Sequence, residues 1–585
     1  MSDTFYINSE VRNNKIMLTY CHQGEVRYAQ VDNYKPTLFG LTADPTSPYK
    51  ELVSGKKLEP TQFGSIREAN NVIREARNNN DVTVFGNRNF NYTFLHENFK
   101  DMESSYDISK IAGFMLDIEC VADVGFPDPG KAEWPINVLT IYDTISEKYW
   151  VWGESPFDDC KYVDKLLEHG VAIDDIVYEH IEDEVKMLKH LLRWWCEHLP
   201  AYITGWNSSH FDLPYLCHRL QRLGLDMNKL SPWKSVFIKE GEFYGKPEYT
   251  VYISGVADLD YLDLYKKNRF ITRESYKLDF IGEIELGRKK VDFSHVANNL
   301  RELREKDYNL FTTYNIIDVE LIKSLEEKLG FLAVTFAVAY AAGINYGDVK
   351  SPVVTWSNIM YRTLIDDGVV LPNVKDHDKA SYEGGFVLDP KVGKHRWVCS
   401  FDLASLYPSL IMQYNISPET LTNIVVPDVN VDSMVNKKPY SVPDGDLSVC
   451  PSGNTFRRDE FGVAGREMLR LYTERKSIKK EMLVHEQKEV TAETEIKRRG
   501  LVCNEDLINY ALPDHDDVGV MEDMQLLKYH IYHSKQAVLK QLGQQVRKIL
   551  LNAFYGSLAN VYSPLFDIRL AESITLSGQL SIRWA

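Results

Sequence analysis

Residues 1 to about 110 alternate apolar and polar positions in short runs separated by turn residues, FYINSEVRNNKIMLTY and then EVRYAQV. Such runs predict strands, with one helix near 65–79. At 111–120, IAGFMLDIEC is an apolar run broken by two acids. Strand and helix patterns then alternate to about residue 327, which predicts a mixed α/β domain. Within it, IEDEVKMLKHLLRWWCEHLP (181–200) has helical periodicity and stops at Pro200. Residues 328–375 are largely helical and apolar, and FLAVTFAVAYAAG from Phe331 is too short to span a bilayer, so it predicts a buried helix. Strand-like runs resume near YEGGFV (382–387), before and after RWVCSFDLASLYPSL. A charged helical segment covers 462–500, an acidic loop 512–524, and a second long helix about 525–555.

A length of 585 residues implies about three to five domains. Apolar residues make up 44% and charged residues 26%, an ordinary globular composition that argues against disorder. The net charge of −17 would, taken alone, argue against a nucleic-acid partner. Charge is local, however: RKSIKK (475–480) and the Arg–Lys pair at 547–548 are basic. Electrostatic recognition depends on that distribution rather than on the total. Eight scattered cysteines, without a CxxC pair or a His/Cys cluster, suggest neither a disulfide framework nor a zinc site and fit a reducing cytoplasm. The first residues lack the apolar core of a signal peptide, and no membrane partner is expected.

Three short motifs carry acids. Asp117 and Glu119 stand two apart, on one face of a strand. Acids inside an apolar run are costly to bury unless they hold a cation or a partner. Asp212 closes an N-x3-F-D arrangement with Asn207 and Phe211, and Tyr314 and Asp318 stand four apart, on one face of a helix. Two hard divalent cations need several carboxylate oxygens, which Asp117, Glu119, Asp212 and Asp318 could supply. Each motif alone is common. Their combination, in the order DxE, Nx3FD, Yx3D, resembles the 3′→5′ proofreading exonuclease attached to family B DNA polymerases.

Further motifs extend that resemblance. DLASLYPS (402–409) is similar to the family's first polymerase metal motif, and KILLNAFYG (548–556) to its KxxxNxxYG helix. Lys548, Asn552 and Tyr555 share one helical face, and Arg475 and Lys479 stand four apart on the preceding long helix. YEGG (382–385) resembles the element between exonuclease and palm that contacts the template backbone. GWNSSHFDLPYL and DLASLYPSLIMQYNISPET narrow the likeness to the replicative polymerases of T-even-like bacteriophages, over essentially the whole chain and in one collinear order.

The resemblance implies a multidomain α/β and α+β fold. It places an N-terminal domain at 1–110, with 328–375 returning to it, and a ribonuclease H-like exonuclease domain at 111–327. The first part of a palm follows at 376–461, helical fingers at 462–557, and an incomplete continuation of the palm at 558–585, without a thumb. It implies Mg²⁺, two ions per active site with Mn²⁺ as an alternative, held by Asp117, Glu119, Asp212 and Asp318 for hydrolysis and by Asp402 for polymerisation. Tyr314 would orient the attacking water. Tyr407, Arg475, Lys479, Lys548, Asn552 and Tyr555 would hold the incoming dNTP, Tyr407 excluding a 2′-hydroxyl.

The family's third motif, YGDTDS, carries the second palm carboxylate, and it is not found after Gly556. Asp514–Asp517 precede the KxxxNxxYG helix, Asp258, Asp260 and Asp263 fall within the exonuclease region, and Asp567 has no matching context. The expectation is therefore the N-terminal portion of a split or truncated polymerase, with a complete exonuclease and half a polymerase site. Its expected partners are primer-template DNA, single-stranded 3′ ends, dNTPs and a C-terminal chain with the palm remainder and thumb, through which it would reach a sliding clamp and replisome. The expected location is the cytoplasm of a phage-infected bacterium. Two rivals are an RNA-binding translational repressor fragment and a stand-alone exonuclease. The first is weakened because residues 1–110 show no basic-aromatic RNA platform, the second because the polymerase motifs would have no purpose.

Overall fold

The computed structural model describes residues 4–78, 83–100, 106–122, 125–243, 245–269, 271–374, 382–502 and 511–585. Cys503 lies outside the described residues. The chain divides into two compact units, one of Met1–Lys35, Gly64–Arg67 and Asn89–Val349, the other of Pro36–Phe63, Glu68–Arg88 and Lys350–Ala585.

The first unit is built on a six-stranded mixed sheet. Its order is Ile176–His180, Lys148–Gly153, Ile136–Asp143, Gly113–Cys120, Tyr202–Thr204, Ala257–Asp258. Ile136–Asp143 runs antiparallel to both neighbours, and the other adjacent pairs are parallel. Strand alternation sends Phe114, Leu116 and Ile118 to one face, where they form a core with Leu188, Leu191 and Trp195 of helix Glu184–His198 and with Leu213 and Leu216 of helix Asp212–Arg222. Asp117 and Glu119 take the other face, toward helix Tyr308–Leu329.

This unit also holds a three-stranded antiparallel sheet, Thr4–Arg12, Lys15–His22 and Glu25–Val31. The apolar run from Phe331 forms the helix Phe331–Ala342, buried along most of its length. The Tyr6 hydroxyl donates to the Ile344 carbonyl at 2.9 Å, and Tyr340 donates to the Tyr6 carbonyl at 2.8 Å.

The second unit joins a five-stranded sheet, a three-stranded sheet and long helices. Val463–Arg499 and Asp523–Leu558 pack antiparallel: Glu481 meets Lys540 at 2.5 Å and Glu474 meets Arg547 at 3.1 Å. At the turn Arg499, in the last turn of its helix, donates to the loop carbonyls of Val518, Gly519 and Met521, tying the connection to the helix. The Trp356 indole on helix Pro352–Ile365 donates to the Leu550 carbonyl and packs on Phe554 at 4.5 Å. Helix Ile568–Trp584 lies against helix Leu406–Tyr414.

One local expectation is corrected. The pattern of RWVCSFDL places Asp402 at the end of a strand, but residues 382–403 form no strand. Trp397 and Phe401 are more than nine-tenths exposed. A strand requires a neighbour for its backbone N–H and C=O groups, and none of the described residues pairs with this segment. Among the described residues, no helix is long and apolar enough to cross a membrane.

Candidate functional site

The first site lies on the polar face of strand Gly113–Cys120. Carboxylate oxygens of Asp117, Glu119 and Asp318 lie within 4.8 Å of one another. Asp117 and Glu119 arrive there by strand alternation, and Asp318 by its place on helix Tyr308–Leu329. Asp212 opens its own helix, and its Oδ1 accepts from the Ile118 backbone N–H at 3.1 Å, between the two strand acids. The turn before it is held by Asp260, which accepts from the backbone N–H groups of Asn207 and Ser209 at 3.1 and 3.0 Å. Gly205 is required at the close approach: a Cβ there would stand 2.7 Å from the Leu116 carbonyl oxygen.

The electrostatics reflect four acids sharing one buried place. Burial, reinforced by the Asp318 charge, pushes Glu119 up to about 8, and burial pushes Asp212 up to about 7. Burial and the Asp212, Asp318 and Glu119 charges raise Asp117 well above the carboxylate range. Burial also raises Asp318, offset in part by Lys290. The Lys290 ammonium meets Asp318 and donates to the Tyr314 hydroxyl at 3.1 Å. Burial opposes its charge, but Asp318, Tyr314 and Asp117 outweigh burial and hold Lys290 well above its usual range.

These donors suit a divalent cation. They are hard carboxylate oxygens at mutual spacings a shared ion can span, and the buried Asp318 Oδ1 has no hydrogen-bond partner among the described residues. A cation would lower all four pKa values by opposite charge.

Motif spacing did not reveal Lys290, Asn315 or Thr140. Asn315 donates from Nδ2 to Asp117 Oδ2 at 2.7 Å, and Thr140 donates to Asn315 Oδ1 at 2.5 Å. The cross-strand register, which pairs Asp117 with Thr140, is the signal that could have found Thr140. Beside the acids opens a cavity of about 640 Å³ lined by Glu119, Phe126, Phe211, Phe293 and Arg301. Phe126 is four-fifths exposed, and its ring centre lies 5.1 Å from that of Phe211.

The second site is a cavity of about 810 Å³ in the other unit. It gathers Asp402, Tyr407, Arg475, Lys479, Lys548, Asn552 and Tyr555 on one lining. The seven come from a loop, a short helix and both long helices, so the structure brings the polymerase-type candidates together. Asp402 is exposed. Lys476, from the basic RKSIKK segment, and Tyr472, which no motif announced, join the lining.

YEGG is pinned beside this cavity. Thr575 donates to the Glu383 carbonyl at 2.8 Å, Gln579 donates to the Gly384 carbonyl at 2.7 Å, and the Tyr382 and Tyr555 hydroxyls lie 2.7 Å apart. Tyr407 meets Tyr555 edge to face at 5.0 Å.

Comparison with known proteins places the chain within a family. The model "DNA polymerase family B, exonuclease domain" matches residues 51–281, and "DNA polymerase family B" matches 354–501. The DNA-directed DNA polymerase of Escherichia phage RB69 is 30% identical over 99% of this chain and 66% of its own length. That of Enterobacteria phage T4 is 31% identical over the same shares, and DNA polymerase II of Escherichia coli is 23% identical over 71% of this chain and 44% of its own length. The chain thus spans just under two thirds of the two phage relatives. It belongs to family B of the DNA polymerases and carries that family's exonuclease domain.

Proposed function

We propose that this chain removes nucleotides from single-stranded 3′ ends and binds the incoming dNTP of a phage-type replicative DNA polymerase. The observation that carries the first activity is the convergence of the Asp117, Glu119 and Asp318 carboxylates beside the Asp212 helix terminus. Magnesium ions held by these four residues would polarise the phosphodiester and activate water for an in-line displacement. Tyr314 orients the attacking water, and Lys290 limits repulsion among the acids before an anionic strand arrives. Phe126, Phe211 and Phe293 offer faces on which terminal bases stack, with Arg301 at a phosphate. Water attacks phosphorus, the P–O3′ bond breaks, and the products are a nucleoside 5′-monophosphate and a new 3′-hydroxyl.

In the second cavity Lys548, Arg475 and Lys479 take the triphosphate, Tyr407 packs on the sugar, and Asn552 and Tyr555 face the base pair. Asp402 alone cannot hold two cations. Nucleotidyl transfer in this reading uses a second palm carboxylate and a thumb from a C-terminal segment, either continuous with these residues or a separate chain, which also meets the clamp. The strand order of the six-stranded sheet, with one antiparallel member beside the acid-bearing strand, supports the ribonuclease H-like assignment. The five-part division given above is kept as part of this proposal, although Pro36–Phe63 and Glu68–Arg88 group with the second compact unit rather than with the rest of residues 1–110.

Degradation of a single-stranded oligonucleotide in Mg²⁺ tests the exonuclease: Asp117→Ala should abolish it, and unchanged degradation would refute the assignment. Primer extension by this chain alone would refute the claim that the polymerase site needs the C-terminal segment.

A further inference from the structure

Asp117 ends a hydrogen-bond relay whose other members, Thr140 and Asn315, occupy no fixed position of the three acid motifs. Thr140 stands directly across the strand pair from Asp117. Its hydroxyl donates to Asn315 Oδ1, and Asn315 Nδ2 donates to Asp117 Oδ2. Thr140 and Asn315 are both fully buried. The donor and acceptor inventory permits one arrangement when Asp117 is ionised. A carboxylate only accepts, so the amide must present its NH₂ to Asp117 and its oxygen to Thr140, and Thr140 must donate.

We propose that Asn315, itself held by Thr140, is a positioning residue for divalent-cation binding by Asp117; this rests on the exonuclease reading above. A carboxylate on a strand can rotate about its terminal bond, and a fixed donor on one oxygen stops that rotation. The other oxygen is then presented to the place shared with Glu119 and Asp318. Donors that orient metal-ligating carboxylates typically contribute 10–100-fold to metal affinity or activity. Asn315 acts through Asp117 and touches neither substrate nor cation. Its neighbour Tyr314 and the acid Asp318 face the site from the same helix, so one rigid element delivers the water-orienting hydroxyl, a ligand and the positioning amide.

The test is Mn²⁺ titration of the full chain by electron paramagnetic resonance, with melting in EDTA as a control on folding. The binding step that Asp117→Ala removes defines the ion in question. Asn315→Ala should weaken that step about 10–100-fold, with KM for a single-stranded oligonucleotide near the parent's. Thr140→Val, close in shape but without the donor, should weaken it about tenfold, and Thr140→Ser should return it to within about threefold of the parent. A purely structural role would lower the metal-free melting temperature and leave Mn²⁺ affinity unmoved. Parent-like affinity in both Asn315→Ala and Thr140→Val, or a loss in Thr140→Ser as large as in Thr140→Val, overturns the proposal. If these variants are neutral while Asp117→Ala still abolishes Mn²⁺ binding and hydrolysis, the exonuclease reading stands and only the relay falls. If Asp117→Ala alters neither, both fall.

Discussion

Lys290 places its ammonium 3.1 Å from the Tyr314 hydroxyl and 4.9 Å from the centre of its ring, while also pairing with Asp318. Lys290 thus faces a group of four acids, of which Asp212 and Asp318 are buried and Asp117 and Glu119 half-buried. Removing one partner of a fully buried pair costs about 3–5 kcal/mol, and the partly exposed Lys290 sets a smaller cost here. Lys290→Met should therefore lower the melting temperature of the metal-free protein, and Mg²⁺ should stabilise the variant more than the parent. Equal losses in EDTA and in Mg²⁺ would show that Lys290 does not share the electrostatic role of a bound ion.

The second cavity predicts a separation of functions. Lys548 and Arg475 line this cavity, which lies in the other compact unit from Asp117, Glu119, Asp212 and Asp318. Lys548→Ala should weaken binding of Mg²⁺·dATP to the full chain about 10–100-fold, the range expected when a charge-assisted contact of about 1.5–3 kcal/mol is lost. Exonuclease rate on single strands should stay within about twofold of the parent, since the two sites share no residue and independent sites act nearly additively. Equilibrium dialysis with labelled dATP and a gel-based nuclease assay check both arms. Unchanged dATP binding would remove Lys548 from the triphosphate.

The acids were legible because their spacing follows from local geometry. Two apart on a strand and four apart on a helix fix which side chains share a face before any tertiary contact is known. Lys290 was not legible for the converse reason. Arg288, Lys289 and Lys290 are consecutive cations, yet Arg288 goes to the His169 carbonyl, Lys289 to Glu283 and Lys290 to Asp318. Nothing local distinguishes them, and the choice is made by elements packed around the loop. Asp402 failed similarly: the apolar pattern around it is strand-like, but a strand exists only where a neighbour completes its hydrogen bonds. The long helices were readable because their sequences carry no Pro over more than thirty residues and end at Gly500 and near Ala559.

Gly578 supplies a test of the sugar contact proposed for Tyr407. A Cβ at this position on helix Ile568–Trp584 would stand 2.9 Å from a Tyr407 ring carbon, closer than carbon atoms pack. Tyr407 is itself held by Tyr555. Gly578→Ala should displace the Tyr407 ring and weaken dATP binding severalfold, with discrimination between dATP and ATP reduced. The exonuclease rate should not change. Parent-like affinity and discrimination would show that Tyr407 does not contact the sugar from the position seen here.

The two long helices of the second unit carry a pH dependence of their own. His485 and His533 face each other with their Nδ1 atoms 2.7 Å apart, so one ring donates and the other accepts, and both cannot be protonated there. Burial, then the His485 charge and Lys488, push His533 down to about 4 despite the opposing charge of Asp516; burial, then Lys488 and Lys540, lower His485 despite Glu481. A histidine depressed in the folded state binds fewer protons than in the opened state. Its contribution is therefore present above the opened-state pKa near 6.5 and is lost as pH falls toward about 4. After correction for intrinsic rates, hydrogen exchange along Val463–Arg499 and Asp523–Leu558 should show opening that rises about tenfold between pH 7 and pH 5. His533→Phe keeps an aromatic ring beside Tyr529 but removes the titration, and it should flatten that rise. An equal rise in parent and variant would place the acid sensitivity elsewhere.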